Sequence, residues 1–193
     1  MKILVVDERP QRQENVLRES GMLELFESMR KTKNLTNSTN LEEGKLLDYD
    51  LYAIHRSYLA SNNMLDKVKK ELQQNNKHLI LFSGGTDTSS ISNYGMVVDM
   101  SSKTFYSERI LSFLKENVEN SDMEYFFYKM LYGNDWKTTF LLKLRYLLWK
   151  YGVKDIDAIL PESADEERTL DELTDIFGDT IDIEEVEKRI KEL

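Results

Sequence analysis

Two hydrophobic rhythms alternate along the first two thirds of the chain. Lys2-Ile3-Leu4-Val5-Val6 is a short, continuous apolar run that stops at Asp7-Glu8. A run of that length, rich in β-branched residues, predicts a strand buried on both faces. From residue 11 to about 31 the spacing turns helical, with Val16, Leu17, Met22, Leu23, Leu25, Phe26 and Met29 on one side and Gly21 as a point of breakage. Residues 32–45 are mostly polar and predict a short edge strand or only a loop. Residues 51–54 form the next strand and residues 64–77 a helix with Leu65, Val68 and Leu72 on one face. Residues 78–82, ended by Ser83-Gly84-Gly85, and residues 95–100 are two further strands. Residues 107–118 close the series as a helix with Ile110, Leu111, Phe113 and Leu114 on its core side.

Strands that alternate with helices predict an α/β domain with a parallel sheet and helices on both faces. In such sheets functional residues gather at the carboxyl ends of the strands. That rule sets Asp7, Glu8, His55, Arg56, Ser83, Gly84 and residues 101–103 along one rim. After residue 120 the pattern changes. Residues 123–131 and 136–151 are dense in aromatics and leucine, Gly152 is a natural stop, and residues 182–193 fit a terminal helix. The chain therefore divides into an α/β domain at 1–120 and an all-α extension at 121–193. Charge follows the same division: of the net −9, the first part carries −1 and the second −8.

Composition narrows the chemistry. The 193 residues contain no cysteine, which excludes disulfides, thiolate catalysis and Cys-type zinc or iron–sulfur sites. With two histidines, His55 and His78, a site built on several histidines is excluded as well. The acidic balance argues against a general nucleic-acid binder, whose affinity rests on neutralising phosphates. No apolar run approaches the length of a membrane span, and Asp7-Glu8-Arg9 interrupts the N-terminal run too early for a signal peptide. A cytoplasmic protein with no membrane and no direct nucleic-acid partner is expected.

The rim residues resemble those of response-regulator receiver domains. In that family the first strand ends in an acidic pair that holds Mg²⁺, and Ile3-Leu4-Val5-Val6-Asp7-Glu8 is similar, with Glu8 for the more usual second Asp. Leu81-Phe82-Ser83-Gly84 is similar to the fourth strand, which ends in Ser or Thr and a small residue. Ser102-Lys103-Thr104-Phe105 is similar to the Lys that follows the fifth strand, with Thr104 where Pro is usual. The resemblance implies a flavodoxin-like, five-stranded parallel sheet in the order 2-1-3-4-5. It fails at one position. Asp50-Leu51-Tyr52-Ala53-Ile54-His55 puts an imidazole where the family has its phosphoacceptor Asp.

That substitution decides the expected function. A receiver Asp becomes an acyl phosphate beside Mg²⁺. Imidazole forms no acyl phosphate and removes an anionic ligand from a hard-cation site, so Mg²⁺ at Asp7 and Glu8 should be weak or absent. The carboxylates should in turn raise the pKa of His55 and make an internal ion-paired state. His55 reads most plainly as a relic in a degenerate pocket of Asp7, Glu8, His55, Ser83 and Lys103, with Lys103 paired to a rim acid. A phosphorylatable imidazole, a pH-responsive switch and a zinc ligand with Asp7 and Glu8 are the sharper readings. The 83–88 loop reads as a turn rather than a phosphate cradle, because it lacks the spacing and the Lys of a P-loop. His78 opens a strand and is expected half exposed.

The expected function is a pseudo-receiver: a phosphorylation-independent signalling or regulatory protein-interaction module, related to two-component signal transduction, with no bound cofactor. The resemblance implies a partner or homodimer face at 95–118, carried by Met96, Val98, Phe105, Tyr106, Arg109 and Ile110. Two other classes stay open. One is a flavodoxin-like ligand-binding protein or enzyme that uses the rim around His55. The other is a structural subunit of a larger assembly.

Overall fold

A computed structural model describes residues 1–42, 47–85, 89–92, 96–119, 123 and 125–140. They fall into two compact units, one of Met1–Ile91 with Met96–Met123, the other taking in the described residues from Tyr125 on. Among the described residues no helix is long and apolar enough to cross a membrane.

The first unit is a mixed α/β fold around one sheet. Strands β1 (Ile3–Val6), β2 (Leu35–Ser38), β3 (Leu51–His55), β4 (His78–Ser83), β5 (Ser90–Ser92) and β6 (Val97–Ser101) stand in the order β2-β1-β3-β4-β6-β5. The pairings β1–β2, β1–β3, β3–β4 and β4–β6 are all parallel. Every residue of β1 and β3 is buried, as a sheet covered on both faces requires. The polar stretch after residue 32 does supply an edge strand, β2, registered on β1 from Ile3↔Leu35 to Val6↔Ser38. Among the described residues the expected five strands become six: β5 is a three-residue strand with no hydrophobic rhythm to announce it.

Period-two alternation sends the strands' side chains to two separate layers. Leu4, Val6, Tyr52, Ile54, Leu79, Leu81 and Val97 form one layer with Leu59, Val68 and Leu72. The last three come from α3 (Arg56–Ser61) and α4 (Leu65–Gln74). The opposite face carries Ile3, Val5, Ala53, Ile80 and Val98, and at its carboxyl end His55, Phe82 and Met100, all buried. The helix expected over 11–31 is two, α1 (Pro10–Glu19) and α2 (Leu23–Lys31). The break falls at Gly21, whose φ of +72° suits a residue without a Cβ. After β6 comes a single helical turn, α5 (Ser102–Phe105), and then α6 (Glu108–Glu116), which buries Ile110, Leu111 and Leu114.

In the second unit, α7 (Phe126–Tyr132) is followed by a 3₁₀ turn, Gly133–Asp135, and by helical residues 136–140. Tyr125 stacks on Trp136 at 4.9 Å and Tyr128 meets Phe140 edge-on at 5.2 Å, so the aromatic stretch forms local core. The rest of the expected helical extension, residues 141–193 with the terminal helix at 182–193, lies outside the described residues.

Candidate functional site

Two strand ends and the first turns of the helices that leave them build the site. β1 delivers Asp7 and Glu8, and β3 delivers His55. Because Val6 registers with Ile54, the next pair along is Asp7 and His55, whose side chains leave the same face of the sheet. Asp7, Glu8 and His55 each offer a ligand atom, and these atoms all lie within 4.8 Å of one another.

Each of the three side chains has one atom engaged. Asp7 is 2 % exposed; its Oδ1 accepts from Arg12 Nη2 at 2.9 Å and from the Arg9 amide at 3.0 Å. Pro10 starts α1 directly after Arg9, so the first turn of the helix returns Arg12 to the strand end. Glu8 Oε1 accepts from Ser57 Oγ at 2.5 Å. His55 Nδ1 lies 2.6 Å from the same Ser57 Oγ and 3.5 Å from Glu8 Oε1. Helix α3 begins at the residue after His55, which puts Ser57 in its first turn and turns the hydroxyl back over the strand ends.

The three remaining atoms are much less occupied. Asp7 Oδ2 has only Tyr106 Oη, at 3.5 Å. Glu8 Oε2 and His55 Nε2 are buried and have no hydrogen-bond partner among the described residues. A second chain of bonds runs beneath: Gln13 Nε2 donates to Tyr106 Oη at 2.9 Å, and Gln13 and Asn37 exchange bonds at 3.0 and 2.8 Å. Phe82 closes the floor. It meets His55 edge-on at 5.3 Å, stacks on Phe105 at 4.5 Å and meets Tyr106 edge-on at 5.4 Å.

The electrostatics differ from expectation at His55. Burial, reinforced by the Arg12 guanidinium, lowers its pKa despite the pull of Asp7 and Glu8. The imidazole is therefore neutral at pH 7, and Arg12 rather than His55 balances Asp7. Burial alone would raise Glu8, but the Ser57 hydroxyl, a backbone hydrogen bond and the Arg12 guanidinium outweigh it and hold the carboxyl below its usual range. Tyr106 is pushed well up by burial and by the Asp7 charge.

Of the five expected pocket residues, the structure brings three together. Ser83 is half-buried at the end of β4. Lys103 is exposed on α5 and pairs with no rim acid among the described residues: β6 runs on to Ser101, whose side chain accepts the Thr104 amide at 2.9 Å and turns the chain so that Phe105 and Tyr106 go inward instead. Residues 86–88 of the adjoining loop lie outside the described residues. The expected partner face also needs correction. Val98, Phe105, Tyr106 and Ile110 are at most 1 % exposed and belong to the core; of the six, Met96 is half-buried and Arg109 exposed. His78, expected half exposed, is buried, and burial takes its pKa to about 4. Arg12, Gln13 and Ser57 are site residues that sequence reasoning missed, and Tyr106, expected on the partner face, belongs to the site instead. Arg12 and Ser57 carried a readable signal, since each stands in the first turn of a helix that leaves a rim strand.

The donor set does not suit Mg²⁺. That ion takes oxygen ligands in near-octahedral array and keeps several waters. Here one of three donors is an imidazole, and Arg12 occupies Asp7 Oδ1.

No family model matches this chain, and no curated protein and no solved structure matches it either.

Proposed function

We propose that the α/β unit is a receiver-like, flavodoxin-like domain that takes no phosphate and serves as a signalling or regulatory protein-interaction module. The observation that carries this reading is the state of His55. It stands at the end of β3, where the resemblance puts the phosphoacceptor, and it is buried, neutral and tethered through Ser57 to Glu8. Imidazole there forms no acyl phosphate, and the buried Asp7 carboxylate is already compensated by Arg12. Without β5, the five remaining strands follow the order 2-1-3-4-5, which also favours the receiver-like reading. A partner face in the 95–118 region works through its surface residues, Met96, Lys103, Glu108 and Arg109, because the apolar ones are in the core.

The test is incubation with acetyl phosphate and Mg²⁺, read by intact mass. The expected result is no phosphate adduct. A stoichiometric adduct on a rim carboxylate or on His55 would overturn the proposal.

A further inference from the structure

We propose that the free edge of β2, with the groove beside it, is a docking site for an acidic, extended peptide segment of a partner protein, which joins the sheet as a further strand. The inference goes beyond the interaction-module reading, whose partner face is at 95–118, and stands on separate observations.

β2 is the outermost strand at its end of the sheet. The Ile3 amide donates to the Asn34 carbonyl at 3.0 Å, and the Asp7 amide to the Ser38 carbonyl at 3.1 Å. Asn34 and Ser38 therefore turn their main-chain groups to β1, and by the period of two so does Thr36. The N–H and C=O groups of Leu35 and Asn37 point the other way, where no described strand takes them. Sheet edges are ordinarily blunted by a proline, a bulge or a charge within the strand. β2 has none of these: it reads Leu35-Thr36-Asn37-Ser38, and its register on β1 runs unbroken. Such an edge is a template for strand addition, in which main-chain bonds give affinity and alternate side chains give specificity.

The surroundings select the occupant. Two cavities, of about 490 and 390 Å³, adjoin along β2 and share Glu27, Arg30 and Asn37. Leu35 and Asn37 register with Ile3 and Val5, so their side chains leave the sheet on the face of α1, where Asn37 bonds Gln13. The smaller cavity on that face is lined by Leu17, Leu23 and Phe26, which suit apolar side chains at alternate positions of an added strand. Charge decides the rest. The acids of the groove, Glu14 and Glu27, are paired with Arg18 and Arg30, both at 2.6 Å. Lys31 and Lys33, which line the larger cavity just before β2, are exposed and make no ion pair among the described residues. Acidic residues flanking the added strand compensate them. A second copy of β2 does not, because residues 31–38 hold two lysines and no acid, and lysines at a sheet edge repel strands of their own kind.

The probe is a synthetic peptide of alternating valine and threonine with two glutamates at each end, titrated into the ¹⁵N-labelled full chain. Saturable amide shifts should centre on Leu35 and Asn37. Hydrogen exchange at these two amides should slow by at least about tenfold at saturation, while Thr36 and Ser38, already turned to β1, change little. Replacing both exposed lysines, Lys31→Glu with Lys33→Glu, should weaken binding by about tenfold or more. A peptide with lysine in place of glutamate should bind at least about tenfold more weakly, and so should one with proline where its N–H groups would face β2. No saturable shift at millimolar peptide, shifts centred elsewhere, equal binding of the lysine or proline peptide, or full-strength binding in the double variant would each overturn the proposal. The wild-type spectra decide the matter even if the variant fails to fold. None of these readouts involves phosphate, so the two proposals fail separately.

Discussion

Acid should destabilise the α/β unit through His78, and the size of the effect can be worked out. His78 opens β4, its amide bonds the Asp50 carbonyl at 3.1 Å, and its side chain is 8 % exposed. Burial takes its pKa from 6.5 to about 4, against a smaller opposing pull from a hydrogen bond with the Met123 backbone. In the unfolded chain the imidazole protonates near its ordinary value. Below about pH 6.5 the unfolded state therefore binds a proton that the folded state refuses. The stability is present above that pH and is lost as the pH falls toward 4. Linkage gives a loss of about 2 kcal/mol between pH 7 and pH 5, and about 3 kcal/mol by pH 4. Urea unfolding followed by circular dichroism at pH 7 and pH 5 measures it, with His78→Gln as the control that cannot titrate. The wild type should lose about 2 kcal/mol more than the variant over this interval. His55 shifts in the same direction but is present in both proteins and cancels. Parallel pH dependences in wild type and variant would refute the reasoning.

Two further perturbations probe the site's supports. Phe82→Ala removes the ring that touches His55, Phe105 and Tyr106, and should cost about 3–5 kcal/mol in urea unfolding, with the His55 ring resonances broadened or shifted. Arg12→Ala leaves the buried Asp7 carboxylate without its cation and should cost about 2 kcal/mol at pH 7, whereas Arg18→Ala, which breaks an exposed pair on the same helix, should cost less than about 0.5 kcal/mol.

The strands buried on both faces were legible because their apolar runs are continuous: β1, β3, β4 and β6 come where the runs stand. Strand β2 was blurred because an edge strand needs only one well-buried residue, here Leu35. The strand β5 and the short helices α3 and α5 were not legible, being too short for any period to register. At the site, Asp7, Glu8 and His55 follow from strand ends alone. Lys103 did not join them, because the direction of a side chain beyond β6 depends on the turn that Ser101 caps. The buried members of the expected partner face had a warning in the pattern. Ile110 shares its helical face with Leu111 and Leu114, and Val98 shares its sheet face with Ile80, so packing rather than contact was their simpler role. Tyr106 and Gln13 form their bond across 93 residues, and no local pattern encodes such a pairing.

The central claim is that the strand-end pocket is not a phosphate switch. Backbone amide spectra of the full chain, recorded on adding Mg²⁺ and then beryllofluoride, test it most directly. The account predicts no saturable shifts at Asp7, Glu8, His55 or Ser83. Saturable shifts confined to those residues would mean that the pocket recognises a phosphoryl group, and would contradict it.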